Sequence, residues 1–201
     1  MLRALLGARR VRFVATELKE RLLASLPELE ASRLAQLAVV EPPRVNVDFL
    51  RSPPGRPFMR YAVTMGRLVK SKRTGLALEA VARTSGLGLV VIGDGPERAV
   101  LERQAQEELP GRVVFTGLLG RPEALGYLAQ ASVLLHPSAE EGAPTAVLEA
   151  LALDVPVLCC GAGDTGRWAA NRSRLVVEEP DAERMATKLR GLVEEKKRAN
   201  R

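Results

Sequence analysis

From Tyr61 onward, short unbroken apolar runs alternate with stretches of helical periodicity, and this alternation constrains the fold more than any other feature of the 201-residue chain. The runs are Tyr61–Met65, Leu87–Ile92, Val113–Phe115, Val133–Leu135, Val157–Cys160 and Leu175–Val177. Helical stretches fall at about 74–84, 97–109, 121–131, 145–153 and 182–196. A strand with one wet face alternates apolar and polar residues, whereas a strand that is apolar throughout is covered on both faces. Such strands separated by helices predict a doubly wound, Rossmann-like parallel α/β sheet. Ligands of that fold sit beyond the carboxyl ends of the strands, so binding chemistry is expected in the loops that follow each strand.

The first 60 residues read differently. Val11-Arg12-Phe13-Val14 reads as a short strand, Thr16 opens a helical pattern through Leu18, Leu22, Leu23 and Leu26, and Leu37 to Val40 is a second strand candidate. Glu41-Pro42-Pro43 and Ser52-Pro53-Pro54-Gly55 then mark an irregular stretch, because proline withholds a backbone donor from helix and sheet alike. A boundary near 42–60 is expected, with residues 1–60 as one unit and 61–201 as the main domain.

Charge divides at the same place. Residues 1–60 hold 11 Lys/Arg against 6 Asp/Glu, and the remainder 19 against 18, so the net charge of +6 is almost all N-terminal. That surface suits peripheral contact with anionic lipid or a phosphate-bearing substrate, and equally an ordinary solvated face. A nucleic-acid partner is not expected, since aromatics are only 3% and no zinc-finger or RNP-like string occurs. Arg3, Arg9, Arg10 and Arg12 with no acid among the first 16 residues also fit an organellar transit peptide, but the strand and helix patterns there indicate a folded segment. The two cysteines, Cys159 and Cys160, are adjacent in an apolar run, which suits neither a disulfide framework nor a usual zinc site. A reducing, cytoplasmic setting is expected, at the inner face of a membrane if the basic surface meets lipid. No apolar run reaches the roughly 18 residues that a spanning helix needs.

Four loops after strands are informative. Gly66-Arg67-Leu68-Val69-Lys70-Ser71-Lys72-Arg73 is a glycine turn followed by cations, a loop able to hold a diphosphate or simply to carry surface charge. Gly93-Asp94-Gly95-Pro96 has two glycines, but a dinucleotide fingerprint needs a third at position 98, which is Arg, and this disfavours an oxidoreductase. Thr116-Gly117 ends the third run. After His136-Pro137-Ser138, a helix beginning near Thr145 leaves free backbone N–H groups for an anion, and Gly142 offers a close approach to the main chain. Glu141 just before that helix and Glu149 one turn into it are expected to face one pocket. Two acids would repel a phosphate, so they make sense as acceptors of hydroxyl groups; alternatively they only complement a helix dipole. Hydroxyls beside a diphosphate describe a nucleotide sugar.

This string of loops resembles the nucleotide-sugar-binding half of the group 1, or family 4, glycosyltransferases of GT-B architecture, over about Tyr61 to Val177. The family's G-R-L-V-x-x-K stands as Gly66 to Lys72, its G-x-G-P as Gly93 to Pro96, its V-x-F-x-G as Val113 to Gly117, and its P-S-x-x-E-G-x-P-x-x-x-x-E as Pro137 to Glu149. The resemblance implies transfer of a hexosyl group, with retention and without a metal, from a UDP-, GDP- or ADP-sugar to a saccharide or lipid-linked acceptor in envelope or glycan biosynthesis. It implies Arg67, Lys72 and Glu141 as catalytic groups, the two cations neutralising the departing diphosphate. Gly66, Gly142, Ala143 and Thr145 would line the phosphate and sugar, Glu149 the ribose, and Gly117 and Leu118 the base. No cofactor is implied, and the chain has no Asp-x-Asp pair to hold a divalent ion. His136, the sole histidine, takes a variable position and reads as a packing residue, with a general base as the poorer alternative.

Departures from the family pattern are Ala143 for a frequent Phe, Asp154 for a frequent Gly, and Gly161-Ala162-Gly163-Asp164 for a Gly-Gly-x-x-Glu segment. Arg10 to Leu26 and Val40 to Phe49 resemble only the end of the family's acceptor-side half and its connection. A separate acceptor domain, a partner subunit or self-association is therefore expected. A non-catalytic nucleotide-sugar-binding subunit of a split glycosyltransferase is the alternative.

Overall fold

The computed structural model describes residues 2–48, 55, 57–170 and 172–199. Phe49 and Ser52-Pro53-Pro54, part of the expected irregular connection, lie outside the described residues. The N-terminal segment runs α1 (Leu2–Leu6), β1 (Val11–Phe13), α2 (Thr16–Ala24), α3 (Glu28–Leu37) and β2 (Ala38–Val40). Strands β1 and β2 pair in parallel, Val11 opposite Ala38, as a two-stranded sheet of their own. Arg10 and Arg12 both pair with Glu41, at 2.6 and 3.0 Å, so the acid-free start finds its counter-charge across this sheet.

Two helices here escape the sequence expectation. Helix α3 starts straight after Pro27, where the reading stops, and within it only Leu34 is buried, so the usual apolar stripe is missing. Leu37 closes α3 and does not open β2. Helix α1 is a single short turn and a half of Leu and Arg with no buried stripe to announce it.

From Tyr61 the strands are β3 (Tyr61–Met65), β4 (Gly88–Ile92), β5 (Val113–Gly117), β6 (Val133–His136), β7 (Val157–Cys159) and β8 (Leu175–Val177). Interleaved are a 3-10 turn at Lys70–Lys72 and helices α4 (Thr74–Ala82), α5 (Arg98–Glu108), α6 (Arg121–Gln130), α7 (Thr145–Ala152), α8 (Thr165–Ala169) and α9 (Ala182–Ala199). All six strands are parallel, in the order β5-β4-β3-β6-β7-β8. The sheet is the doubly wound α/β arrangement that the pattern predicts, and its switch point lies between β3 and β6.

The central strands are buried on both sides because their two faces serve different cores. Ala62, Leu89, Val91, Val133, Leu135 and Leu158 face the cluster closed by α4, α5 and α9. Tyr61, Val63, Val90, Leu134 and Val157 face the cluster closed by α6 and α7, with Trp168 of α8 against it. Burial of side chains of this size contributes about 1.5–3 kcal/mol each. Helix α7 ends in a complete Schellman motif: Val155 N–H donates to the Ala150 carbonyl at 2.8 Å and Asp154 N–H to that of Leu151 at 3.2 Å. Asp154 takes the left-handed position, φ 56°, where the family pattern has glycine.

Candidate active site

At the switch point, the loop leaving β3 and the loop leaving β6 face one another across a cavity of about 300 Å3. The β3 loop contributes Gly66, Arg67 and Lys72; the β6 side contributes His136, Glu141, Ala143, Pro144, Thr145 and Ala146. The Ala139 N–H donates to the Ser71 carbonyl at 2.7 Å and ties the two loops together.

The charged groups converge on one oxygen. Glu141 Oε1 accepts a hydrogen bond from Lys72 Nζ at 2.5 Å and lies 2.7 Å from His136 Nε2. Glu141 and His136 are nearly buried, with side chains 11% and 6% exposed. Burial by itself raises the Glu141 pKa, but the hydrogen bonds from His136 and Lys72, the His136 charge and Ser138 together outweigh it and hold the carboxyl at about 2. Glu141 is thus an anion at any physiological pH. Lys72 keeps further N–H donors beyond the one given to Glu141. Arg67 is exposed on the rim, and Lys70 does not line the cavity.

Helix α7 enters the cavity by its N-terminus. No side chain caps it, and Ala143 to Ala146 form the wall where its first N–H groups begin. Uncapped N–H groups and the positive end of the helix dipole favour an anion there.

Six of the expected residues, Gly66, Arg67, Lys72, Glu141, Ala143 and Thr145, line this one cavity. Four do not. Glu149 is buried in α7 and its carboxylate receives Arg121 at 2.8 Å, so the two acids do not share the pocket as expected. Burial raises the Glu149 pKa against the opposing pull of the Arg121 charge. Gly142 does not offer its Cα to the cavity: a Cβ there would meet Leu18 Cδ1 of α2 at 2.8 Å. Gly117 and Leu118 sit at the end of β5, two strands from β3, with Leu118 79% exposed.

The Gly93 and Gly95 turn is not open to a ligand either. A Cβ on Gly93 would collide with the Gly66 carbonyl and one on Gly95 with that of Leu68, while Leu68 N–H donates to Asp94 and Glu97 N–H to Leu68. These glycines let the β4 loop back onto the β3 loop and hold Gly66 and Arg67 at the cavity mouth.

His136 and Arg121 are the residues that sequence reasoning missed. His136 is buried as a packing residue would be, but its ring also bonds Glu141. The available signal was its place as the last residue of a buried strand at the switch point. Among the described residues, no three His, Cys, Asp or Glu gather into a metal-holding group, and no helix is long and apolar enough to cross a membrane.

The strand order and the loops at its switch point make this the Rossmann-like half of a GT-B architecture. The chain belongs to the glycosyl transferases group 1 family, which matches residues 54–201. It is similar to a 2-deoxystreptamine glucosyltransferase of Streptomyces kanamyceticus, 31% identical over 149 residues, covering 72% of this chain and 38% of that protein. It is also similar to a GDP-mannose-dependent alpha-mannosyltransferase of Mycolicibacterium smegmatis, 37% identical over 112 residues, 56% of this chain and 28% of that one. The chain therefore spans well under half the length of these curated relatives. Among solved structures, Anabaena HepE in complex with UDP and glucose matches at TM-score 0.76 and 18% identity, over 98% of this chain and 58% of that chain.

Proposed function

We propose that the cavity between β3 and β6 is the donor site of a retaining glycosyl transfer, and that the chain contributes the nucleotide-sugar half of the enzyme. The observation that carries this reading is the Lys72–Glu141–His136 cluster beside the uncapped start of α7. A diphosphate fits between Arg67, Lys72 and the α7 N-terminus, where fixed positive charge stabilises the negative charge that develops on the leaving group. Glu141, ionised and nearly buried, accepts hydrogen bonds from sugar hydroxyls. The nucleoside then extends along the strand ends toward Gly117 and Leu118, with Glu149 toward the ribose once Arg121 yields it. In this reading no metal is required, because the two cations carry the charge a divalent ion would supply.

The donor is a UDP-, GDP- or ADP-sugar, and the names of the relatives favour a hexose and an acceptor from glycan or cell-envelope synthesis. The acceptor site belongs to a further domain or partner subunit. The basic first 60 residues face the inner surface of a membrane when the acceptor is lipid-linked, in a cytoplasmic protein. Isothermal titration with UDP, GDP and ADP tests the donor site: saturable binding of at least one in the millimolar range is expected, weakened by Arg67→Ala and Lys72→Ala and unchanged by Lys70→Ala. Binding of none of the three overturns the reading.

A further inference from the structure

Helix α2 lacks a cap of its own, and the main domain supplies one. Ala15 precedes the helix and offers no side-chain acceptor, while Asp164, 148 positions away, accepts the Thr16 N–H on Oδ2 at 2.7 Å. The Glu17 N–H donates to Oδ1 of the same carboxylate at 3.1 Å. Asp164 is 3% exposed, and both its oxygens accept from this helix end, with Arg167 Nε also 4.0 Å from Oδ1. One turn further along, Arg167 holds both oxygens of Glu20, at 3.0 and 2.8 Å. No residue of α2 itself is fully buried, so these polar contacts act together with the apolar contact that Leu18, Val14 and the buried Ala15 make at its start.

The same contacts enclose the turn that carries Glu141. On one side Leu18 and Val14 stand against Gly142, where a Cβ would meet Leu18 Cδ1 at 2.8 Å and Val14 Cγ2 at 3.6 Å. On the other, the Asp164 N–H donates to the Gly142 carbonyl at 3.4 Å, and Gly163 presses on the Glu141 and Gly142 carbonyls where a Cβ has no room. The Glu141–Gly142 peptide is thus held between α2 and the α8 turn, and Asp164 touches both.

We propose that Asp164 and Leu18 are positioning residues: by holding α2 against Gly142 they fix Glu141 in the cavity, so the N-terminal segment shapes the sugar end of the site. The inference rests on the donor-site reading for its ligand, and on geometry alone for the coupling. If it holds, Gly142 lacks a side chain to admit Leu18 and not to admit a ligand.

The test has a ligand arm and a ligand-free arm. Asp164→Ala weakens a nucleotide sugar, UDP-glucose or GDP-mannose, about fivefold, the size of a lost helix cap, while the matching nucleoside diphosphate binds within twofold of wild type, since Glu141 is assigned to the sugar. Asp164→Asn, which keeps one acceptor oxygen but turns an amide N–H toward the second donor, recovers only part of the difference. Gly142→Ala gives the same selective loss, and Leu18→Ala in the same chain restores binding. Equal loss of sugar and diphosphate, or no rescue by Leu18→Ala, overturns the proposal. Amide hydrogen exchange of Asp164→Ala without ligand must show faster exchange in residues 139–143 together with the first turn of α2. Unchanged protection of 139–143 while α2 opens overturns the coupling even if no nucleotide binds at all.

Discussion

Glu141 is held as an anion by donors from two segments, Lys72 after β3 and, just ahead of it, His136 at the end of β6 and Ser138 in its own loop. Its folded pKa of about 2 lies below the ordinary 4.5, so its contribution to stability is complete above about pH 4.5 and is lost as pH falls toward 2. Glu141→Gln is expected to flatten the acid limb of a denaturation-midpoint profile over that window, and an unchanged limb would show that the Lys72 and His136 contacts are not made in solution. Glu149 has the opposite sign: a raised carboxyl pKa favours the fold in acid and costs stability as pH rises through it. Arg121→Ala removes the counter-charge, so it destabilises by about 1–3 kcal/mol near neutrality and less in acid. Adding Glu149→Gln should return most of that loss in urea titrations. Asp154, left-handed at φ 56°, bears strain that glycine does not. Its ion pair with Arg174 is exposed and worth little. Asp154→Gly should therefore stabilise by up to about 1 kcal/mol, read as a higher Tm. Lys72 and Glu141 were legible in the sequence because their motifs fix them relative to strand ends. His136 and Arg121 were not, since a contact made across an irregular loop or between two helices leaves no periodic trace.

In the main domain, elements were legible in proportion to how much apolar surface they bury, while α2, with no buried residue, was legible from its leucine spacing alone. The six strands of the main sheet were all read within two residues of their bounds, because each presents a run of apolar side chains to one or both cores, interrupted only by Thr64, Thr116 and His136. Helix α3 buries a single leucine, and α8 spans five residues after a glycine-rich turn, so neither had a stripe to read. The Gly93-x-Gly95 turn was legible as an element but not as to purpose: it is a surface of contact between two loops. Gly93→Ala or Gly95→Ala must displace the Gly66 or Leu68 carbonyl, at a cost of about 1–3 kcal/mol for forced overpacking. Differential scanning calorimetry checks the loss, and nucleoside diphosphate titration of the same variants should show weaker binding, because the displaced loop carries Arg67.

For the whole molecule, the six-stranded sheet and its two cores form one body, and the two-stranded β1–β2 sheet forms a second, smaller one with little core. On the proposed reading the acceptor is oriented and water excluded by a further domain or partner subunit, and positioning of that kind supplies on the order of 7–11 kcal/mol of a transfer barrier. The purified 201-residue chain is expected to release no nucleoside diphosphate from UDP- or GDP-sugars above the uncatalysed rate, with or without saccharide or lipid acceptors. Acceptor-dependent turnover abolished by Glu141→Ala would refute that. The unequal cores also bear on how the chain opens under stress. The described residues from Tyr61 onward share the two buried cores and should unfold as a single cooperative unit, whereas the N-terminal segment is fastened by Asp164, a surface ion pair and the small contact of Leu18 and Val14 with Gly142. In rising denaturant the small body should detach first, as a subglobal opening well below the main transition, and the polypeptide would then spend time as a folded sheet trailing a released arm.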